Sequence, residues 1–193
     1  MKCAAAAVRR PFAFLKSGWR MITTMIAQVL LLLVFPALLM AASVWDLGSF
    51  TIPNWVQIAL VGAFVIFAFA CRMAPETFGW HVLSAVIALV ISFTLFALGY
   101  IGGGDAKLFA ATALWLGFSS LFAYTLFATV AGGVMALSLV MLRRWPLPAF
   151  LAHQGWIARL HDTKSGMPYG VALAAGALLL LPQTELFRLA AGS

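Results

Sequence analysis

The sequence predicts an all-α polytopic membrane protein with about six transmembrane helices. Of its 193 residues, 64% are hydrophobic and only 9% are charged. Soluble domains carry about 25% charged residues, and a soluble core of this size could not bury so much apolar surface. Disordered sequences are poor in aromatic residues, whereas aromatic residues make up 13% of this chain. Both the soluble and the disordered class are therefore excluded.

Six apolar stretches are separated by breaks that are polar or contain Gly and Pro. We place the spans at residues 21–45, 55–70, 80–100, 106–118, 121–142 and 168–181. The first stretch is longer than the hydrophobic region of a signal peptide, which is about 7–15 residues, so we interpret it as a retained helix that Pro36 kinks. Pro53 precedes the second span, as suits the first turn of a helix. The fourth span is short, so we expect it to be tilted or shielded by its neighbours.

The net charge of +7 does not indicate nucleic-acid binding. The basic residues lie between apolar segments, where they orient helices in the membrane. Cys3 and Cys71 form no CxxC pattern and indicate neither a zinc site nor a disulfide framework. The three histidines lack metal-ligand spacing such as HExxH. We therefore expect membrane lipid around the chain, and no nucleic acid, metal or cofactor.

The chain has five acidic residues, so every candidate for carboxylate chemistry can be considered: Asp46, Glu76, Asp105, Asp162 and Glu185. The glutamates and Asp162 fall in predicted connectors or in the tail, where solvation explains them. Asp46 ends the first span, and Asp105 stands where the third span gives way to the fourth. The first and third spans cross the membrane in the same direction, so both aspartates lie at the same face. Acidic residues at membrane depth are candidates for function.

Two carboxylates held close together can share one proton. The ionised carboxylate can then activate water while the protonated one polarises a carbonyl, as in aspartic proteases. Each aspartate also has a structural alternative. Asp105 precedes an apolar helix and could be its N-cap, and Asp46 could be solvated at the membrane interface.

Three glycines, Gly102 to Gly104, precede Asp105. Glycine permits positive φ and the close approach of another backbone, so an extended peptide could hydrogen-bond to this segment. Lys107 follows two residues after Asp105. Its side chain either extends to the lipid headgroups or tunes the charge of the aspartate.

Two motifs resemble those of the type IV prepilin peptidase family, the GxGD-type intramembrane aspartic proteases (A24). The first is Asp46 followed by Ile52-Pro53-Asn54, and the second is Gly102-Gly103-Gly104-Asp105-Ala106-Lys107-Leu108. Pro168-Tyr169-Gly170 is also similar to the start of the family's last helix. The resemblance covers about residues 25–181 and is greatest to the short TadV/CpaA-like branch, which processes Flp-type (type IVb) pilins.

This resemblance implies a GxGD aspartic protease fold with Asp46 and Asp105 as the catalytic residues. It also implies that Gly102, Gly103 and Gly104 form a substrate-binding loop, with Asn54 and Lys107 as supporting residues. The implied activity is cleavage of prepilin leaders at the cytoplasmic face of the bacterial inner membrane. The sequence has no domain with paired CxxC motifs like that of long family members, so we do not expect methyltransferase activity.

The distribution of lysine and arginine between the two sides of the membrane tests whether the aspartates face the cytoplasm. With the two aspartates cytoplasmic, the inner loops hold five basic residues and the outer ones two: Lys107, Arg143, Arg144, Arg159 and Lys164 inside, Arg72 and Arg188 outside. This bias agrees with the positive-inside rule, but residues 1–20 add five basic residues outside and reverse it. We interpret residues 1–20 as a basic segment that is disordered or not native, the alternative being an extra feature of the protein. Residues 21–193 are predicted to form one six-helix peptidase domain.

Three other functions stay open at this point. A preflagellin-type peptidase is the nearest alternative within the enzyme class. A non-catalytic membrane assembly protein of a pilus or secretion system would keep the fold without the chemistry. A transporter would use the aspartates in an ion path, but the fourth to sixth spans hold almost no ionisable residue to complete one.

Overall fold

The computed structural model describes residues 21–148, 153–162 and 166–191, which form helices and no strands. The helices are α1 (Met21–Ser49), α2 (Asn54–Ala70), α3 (Pro75–Ala97), α4 (Gly103–Leu116), α5 (Phe118–Leu142), α6 (Gly155–His161), α7 (Tyr169–Leu180) and α8 (Glu185–Ala191). A 3₁₀ turn, Leu181–Gln183, follows α7. The basic segment 1–20 and Lys164 lie outside the described residues. The prediction of an all-helical fold is confirmed.

Three of the helices, α1, α3 and α5, are long and apolar enough to cross a membrane. Two further apolar helices, α2 and the segment Tyr169–Gln183, are shorter, and α4 has 14 residues. The chain is thus a polytopic membrane protein, while the count of six spans stays a prediction.

Several helix ends differ from those predicted. Helix α1 continues past Asp46 to Ser49, where Phe50 turns to a φ of 53° and its N–H donates to the Asp46 carbonyl at 2.8 Å. A left-handed residue just after the last turn is a common way to end a helix. Helix α3 begins at Pro75, which suits a first helical turn, so Glu76 lies in the helix and not in a connector.

Pro36 does not end α1. It has no N–H to donate to the carbonyl four residues earlier. Leu30–Val34, which end two residues before Pro36, form a π-helical turn, and such turns occur as single inserts within α-helices. The helix therefore continues on both sides of the proline.

The short helix α4 lies in the centre of the bundle, and nine of its 14 residues are buried. The ring of Trp115 stacks on Phe35 of α1, with a centroid distance of 4.8 Å. Its Nε1 donates to the Leu60 carbonyl of α2 at 2.9 Å. Neighbouring helices thus shield α4, as its length led us to expect.

Helix α7 packs closely on α5 because small residues line the contact. A methyl group added at Gly176 would lie 2.8 Å from the Ala128 backbone nitrogen. A methyl added at Gly132 would lie 2.6 Å from the ring of Tyr169. Close approach through small residues is typical of membrane helices, which have no hydrophobic driving force between them in lipid.

We predict that Gly176→Val lowers the free energy of unfolding by about 1–3 kcal/mol, the usual cost of overpacking. Gly133→Val is the matched control, because a side chain at Gly133 of α5 meets no atom within 4 Å. The measurement is the midpoint of thermal unfolding of each variant in detergent. Equal midpoints for the two variants would show that α5 and α7 are not in close contact.

Candidate active site

Asp46 is buried near the end of α1, with only 3% of its surface exposed. Its Oδ2 accepts a hydrogen bond of 2.6 Å from the backbone N–H of Gly170, the second residue of α7. The first N–H groups of a helix have no partner within that helix, and the helix dipole favours a negative charge at this end. The alternative of a solvated Asp46 is therefore wrong.

Ile52 links Asp46 to α4. A methyl group added at Gly170 would lie 2.8 Å from Asp46 Oδ2 and 2.9 Å from Ile52 Cδ1. On the other side, a methyl at Gly104 would lie 3.3 Å from the backbone nitrogen of Ile52. Ile52 thus lies between the starts of α7 and α4, and both helices approach it through glycine.

Asp105 is the third residue of α4, and Gly102 is the N-cap. The prediction that Asp105 is the N-cap of this helix is wrong, because Gly102 occupies that position. Its carboxylate turns back towards the Gly102 backbone, as an acidic residue at the third helical position does in a capping box. Its other oxygen, Oδ1, is buried and has no hydrogen-bond partner among the described residues.

The structure brings the two aspartates together, close enough for their carboxylates to interact electrostatically. Asp46 is fixed by a backbone donor, while Asp105 keeps one oxygen free. Such a pair is suited to general acid–base chemistry. No group of three or more His, Cys, Asp or Glu side chains in the described segments could hold a metal ion.

The glycines before Asp105 do not form the loop that we expected. Gly103 and Gly104 belong to the first turn of α4, and only Gly102 is exposed. A methyl group at Gly103 would lie 3.2 Å from Cε2 of Phe96. The close approach expected of these glycines therefore occurs, but with the chain's own Phe96 and Ile52.

The two supporting residues bind each other. Lys107 Nζ donates to Asn54 Oδ1 at 2.9 Å, in an exposed hydrogen bond. This contact joins the start of α2 to the first turns of α4 and thereby connects the two motifs found in the sequence.

A cavity of about 110 Å³ lies beside Asp105, between α3, α5 and α7. Its lining is mainly apolar and includes the hydroxyl-bearing side chains of Ser92, Thr125, Thr129 and Tyr169. The sequence motif at Pro168 to Gly170 indicated only the start of a helix. The roles of Tyr169 in this cavity and of Gly170 at Asp46 depend on tertiary contacts.

Helix α6, in the polar stretch after α5, lies against the end of α1. Arg159 of α6 donates to the Gly48 carbonyl, and Arg143 Nε donates to the Leu160 carbonyl at 2.8 Å. The sequence indicated these arginines only as orientation signals. In the structure they hold the stretch next to the helix end that carries Asp46.

The model of the type IV leader peptidase family matches residues 33–137, which include both aspartates. The chain belongs to the type IV leader peptidase family. The resemblance inferred from the two motifs is thus confirmed at the level of the family.

Two curated relatives of this leader peptidase family member are prepilin leader peptidase/N-methyltransferases, one from Aeromonas salmonicida strain A449 and one from Aeromonas salmonicida. Each is 28% identical to the chain over 138 residues, which is 63% of this chain and 46% of the relative. The chain therefore spans about half the length of the curated relatives it matches. No solved structure matches the chain.

A double-mutant cycle tests the contact between Asn54 and Lys107. We predict that Asn54→Ala and Lys107→Met are coupled by about 0.5–1.5 kcal/mol in stability, the net contribution of a typical hydrogen bond. The measurement is the unfolding free energy of the wild type, both single variants and the double variant. Additive losses would mean that Lys107 only extends to the lipid headgroups.

Proposed function

We propose that this chain is an aspartic endopeptidase that removes the leader of type IV prepilins of the Flp (type IVb) kind. Asp46 and Asp105 are the catalytic pair in this proposal. The observation that carries it is a buried Asp46, fixed by the Gly170 N–H, beside an Asp105 whose Oδ1 is free. Family membership and the prepilin leader peptidases of Aeromonas salmonicida support the same activity.

The geometry suggests how the two carboxylates divide the chemistry. Both carboxylates face a backbone N–H, and an ionised carboxylate accepts a stronger hydrogen bond than a neutral one. Asp46 is assigned as the base because its Oδ2 accepts a bond of 2.6 Å from Gly170, whereas Asp105 keeps an oxygen that can carry the proton. Asp46 removes a proton from water, whose oxygen attacks the scissile carbonyl carbon. Protonated Asp105 donates to the carbonyl oxygen through its free Oδ1. The amine then leaves with a proton from the pair, as in general acid–base catalysis.

The surroundings of Asp105 suit a peptide that continues into an apolar helix. The cavity beside it has an apolar lining with hydroxyl groups. Such a lining accepts aliphatic side chains, while the hydroxyls can bind an extended backbone. In this proposal the segment next to the scissile bond lies along the cavity between α3 and α5.

We place this site at the cytoplasmic face of the bacterial inner membrane. Arg159 contacts the Gly48 carbonyl, two residues after Asp46. Arg143 contacts Leu160, the residue after Arg159, and Arg144 follows α5 at the same end. Basic loops tend to stay on the cytoplasmic side. The described residues at the other end of the helices include only Arg72 and Arg188 as basic groups.

We predict that Asp46→Asn and Asp105→Asn each lower the cleavage rate by about 10²-fold or more, the lower range for a lost general acid or base. The measurement is the mass shift of a prepilin co-expressed with each variant. Asp162→Asn is the matched control, because it removes one carboxylate from the connector after α6 and should leave cleavage unchanged. Full cleavage by the Asp105 variant would leave a non-catalytic assembly protein as the better description.

We also predict that Gly170→Ala lowers kcat by about 10–100-fold, because the added methyl displaces the Asp46 carboxylate from the reacting position. Binding of substrate should change little, so KM stays close to that of the wild type. Gly62→Ala in α2 is the control, since its methyl group meets no atom within 4 Å. Wild-type kcat for Gly170→Ala would show that the hydrogen bond to Asp46 is not needed.

A further inference from the structure

A second cavity, of about 490 Å³, lies at the end of the bundle remote from the aspartates. Helix α3 ends and α4 begins near Asp105, so the start of α3 and the end of α4 lie at the opposite end. The cavity is bordered there by Glu76 and Glu185, which the sequence placed in a solvated connector and in the tail. We call it the glutamate cavity.

His81 is the buried polar group of the glutamate cavity, with 3% of its surface exposed. Its Nδ1 lies 2.7 Å from the Leu114 carbonyl. A carbonyl only accepts, so Nδ1 carries the hydrogen and Nε2 is an acceptor in the neutral ring. Nε2 has no partner among the described residues. Gly117 makes room for the ring, since a methyl group there would lie 2.9 Å from Cε1.

The charges around this histidine are negative. Glu185 interacts electrostatically with the His81 ring, and Glu76 lies in the first turn of α3. Both glutamates are exposed at the edge of the cavity. No lysine or arginine is among the residues that line the cavity. The cavity thus offers acceptors from three side chains without a positive charge among its lining residues.

Two aromatic residues, Trp80 and Phe118, also line the glutamate cavity. Trp80 and Phe118 are 49% and 44% exposed and lie 5.6 Å apart between ring centroids. Exposed tryptophan is typical of the lipid headgroup level, and ring faces attract cations. A ligand that fits carries positive charge, donates several hydrogen bonds and reaches the site from the membrane interface. A primary ammonium group has three N–H donors and meets the first two requirements.

We propose that the glutamate cavity binds the ammonium headgroup of phosphatidylethanolamine in the leaflet opposite the aspartates. The exposed Arg72, in the connector at the same end of the bundle, supplies a positive charge for the lipid phosphate. Phosphatidylcholine has the same shape but carries three methyl groups in place of the N–H donors. It should therefore bind more weakly, and this proposal does not depend on the peptidase activity.

The test is native mass spectrometry of the purified full chain with equal amounts of dioleoyl phosphatidylethanolamine and dioleoyl phosphatidylcholine. We expect retention of the ethanolamine lipid to be about fivefold greater, the effect of a hydrogen bond that the choline group cannot donate. The preference should be lost in Glu76→Gln/Glu185→Gln and reduced in His81→Gln. The control Asp162→Asn removes a carboxylate at the other end of the bundle and should retain the preference for the ethanolamine lipid.

Thermal unfolding of each variant in detergent checks that the compared proteins are folded. Equal retention of the two lipids by the wild type would overturn the proposal, as would an unchanged preference in the folded double glutamate variant. Free ethanolamine is added in a separate arm. Complete displacement of the lipid by this soluble amine would show that the cavity binds a free amine and would overturn the proposal of a lipid ligand.

Discussion

The hydrogen bond from the Gly170 N–H to the Asp46 carboxylate is the contact on which the site depends. It joins α1 to the start of α7 across 124 residues of sequence. A buried carboxylate loses its hydration, and here the free N–H groups and the positive end of a helix replace part of that water. The same junction fixes Ile52, against which α4 presents Gly104 and, one residue later, Asp105.

Glycine makes these contacts possible because each of them brings another group within van der Waals distance of a helix backbone. Gly170 admits the Asp46 carboxylate, Gly104 admits the Ile52 backbone, and Gly176 admits the α5 backbone at Ala128. In a membrane such close packing supplies much of the attraction between helices. The residues that stabilise the bundle are therefore the same kind that position the two aspartates.

The sequence predicted the fold class, because so few charges can only be accommodated in lipid. It also predicted that Asp46 and Asp105 lie at the same face of the membrane, because the first and third spans cross the membrane in the same direction. It failed at helix ends: Gly103 and Gly104 are helical, and Glu76 lies within α3. Whether a helix continues through polar residues depends on tertiary contacts. For the same reason Gly170, and the meeting of His81 with Glu185, could not be predicted from spacing.

The central claim is that Asp46 and Asp105 act as one unit. The most direct measurement compares the residual prepilin cleavage rates of the two single Asp→Asn variants with that of the variant carrying both changes. The effects of mutating groups that act as a unit are strongly non-additive, so we expect nearly the same residual rate for all three variants. A rate for the double variant equal to the product of the two single losses would contradict it.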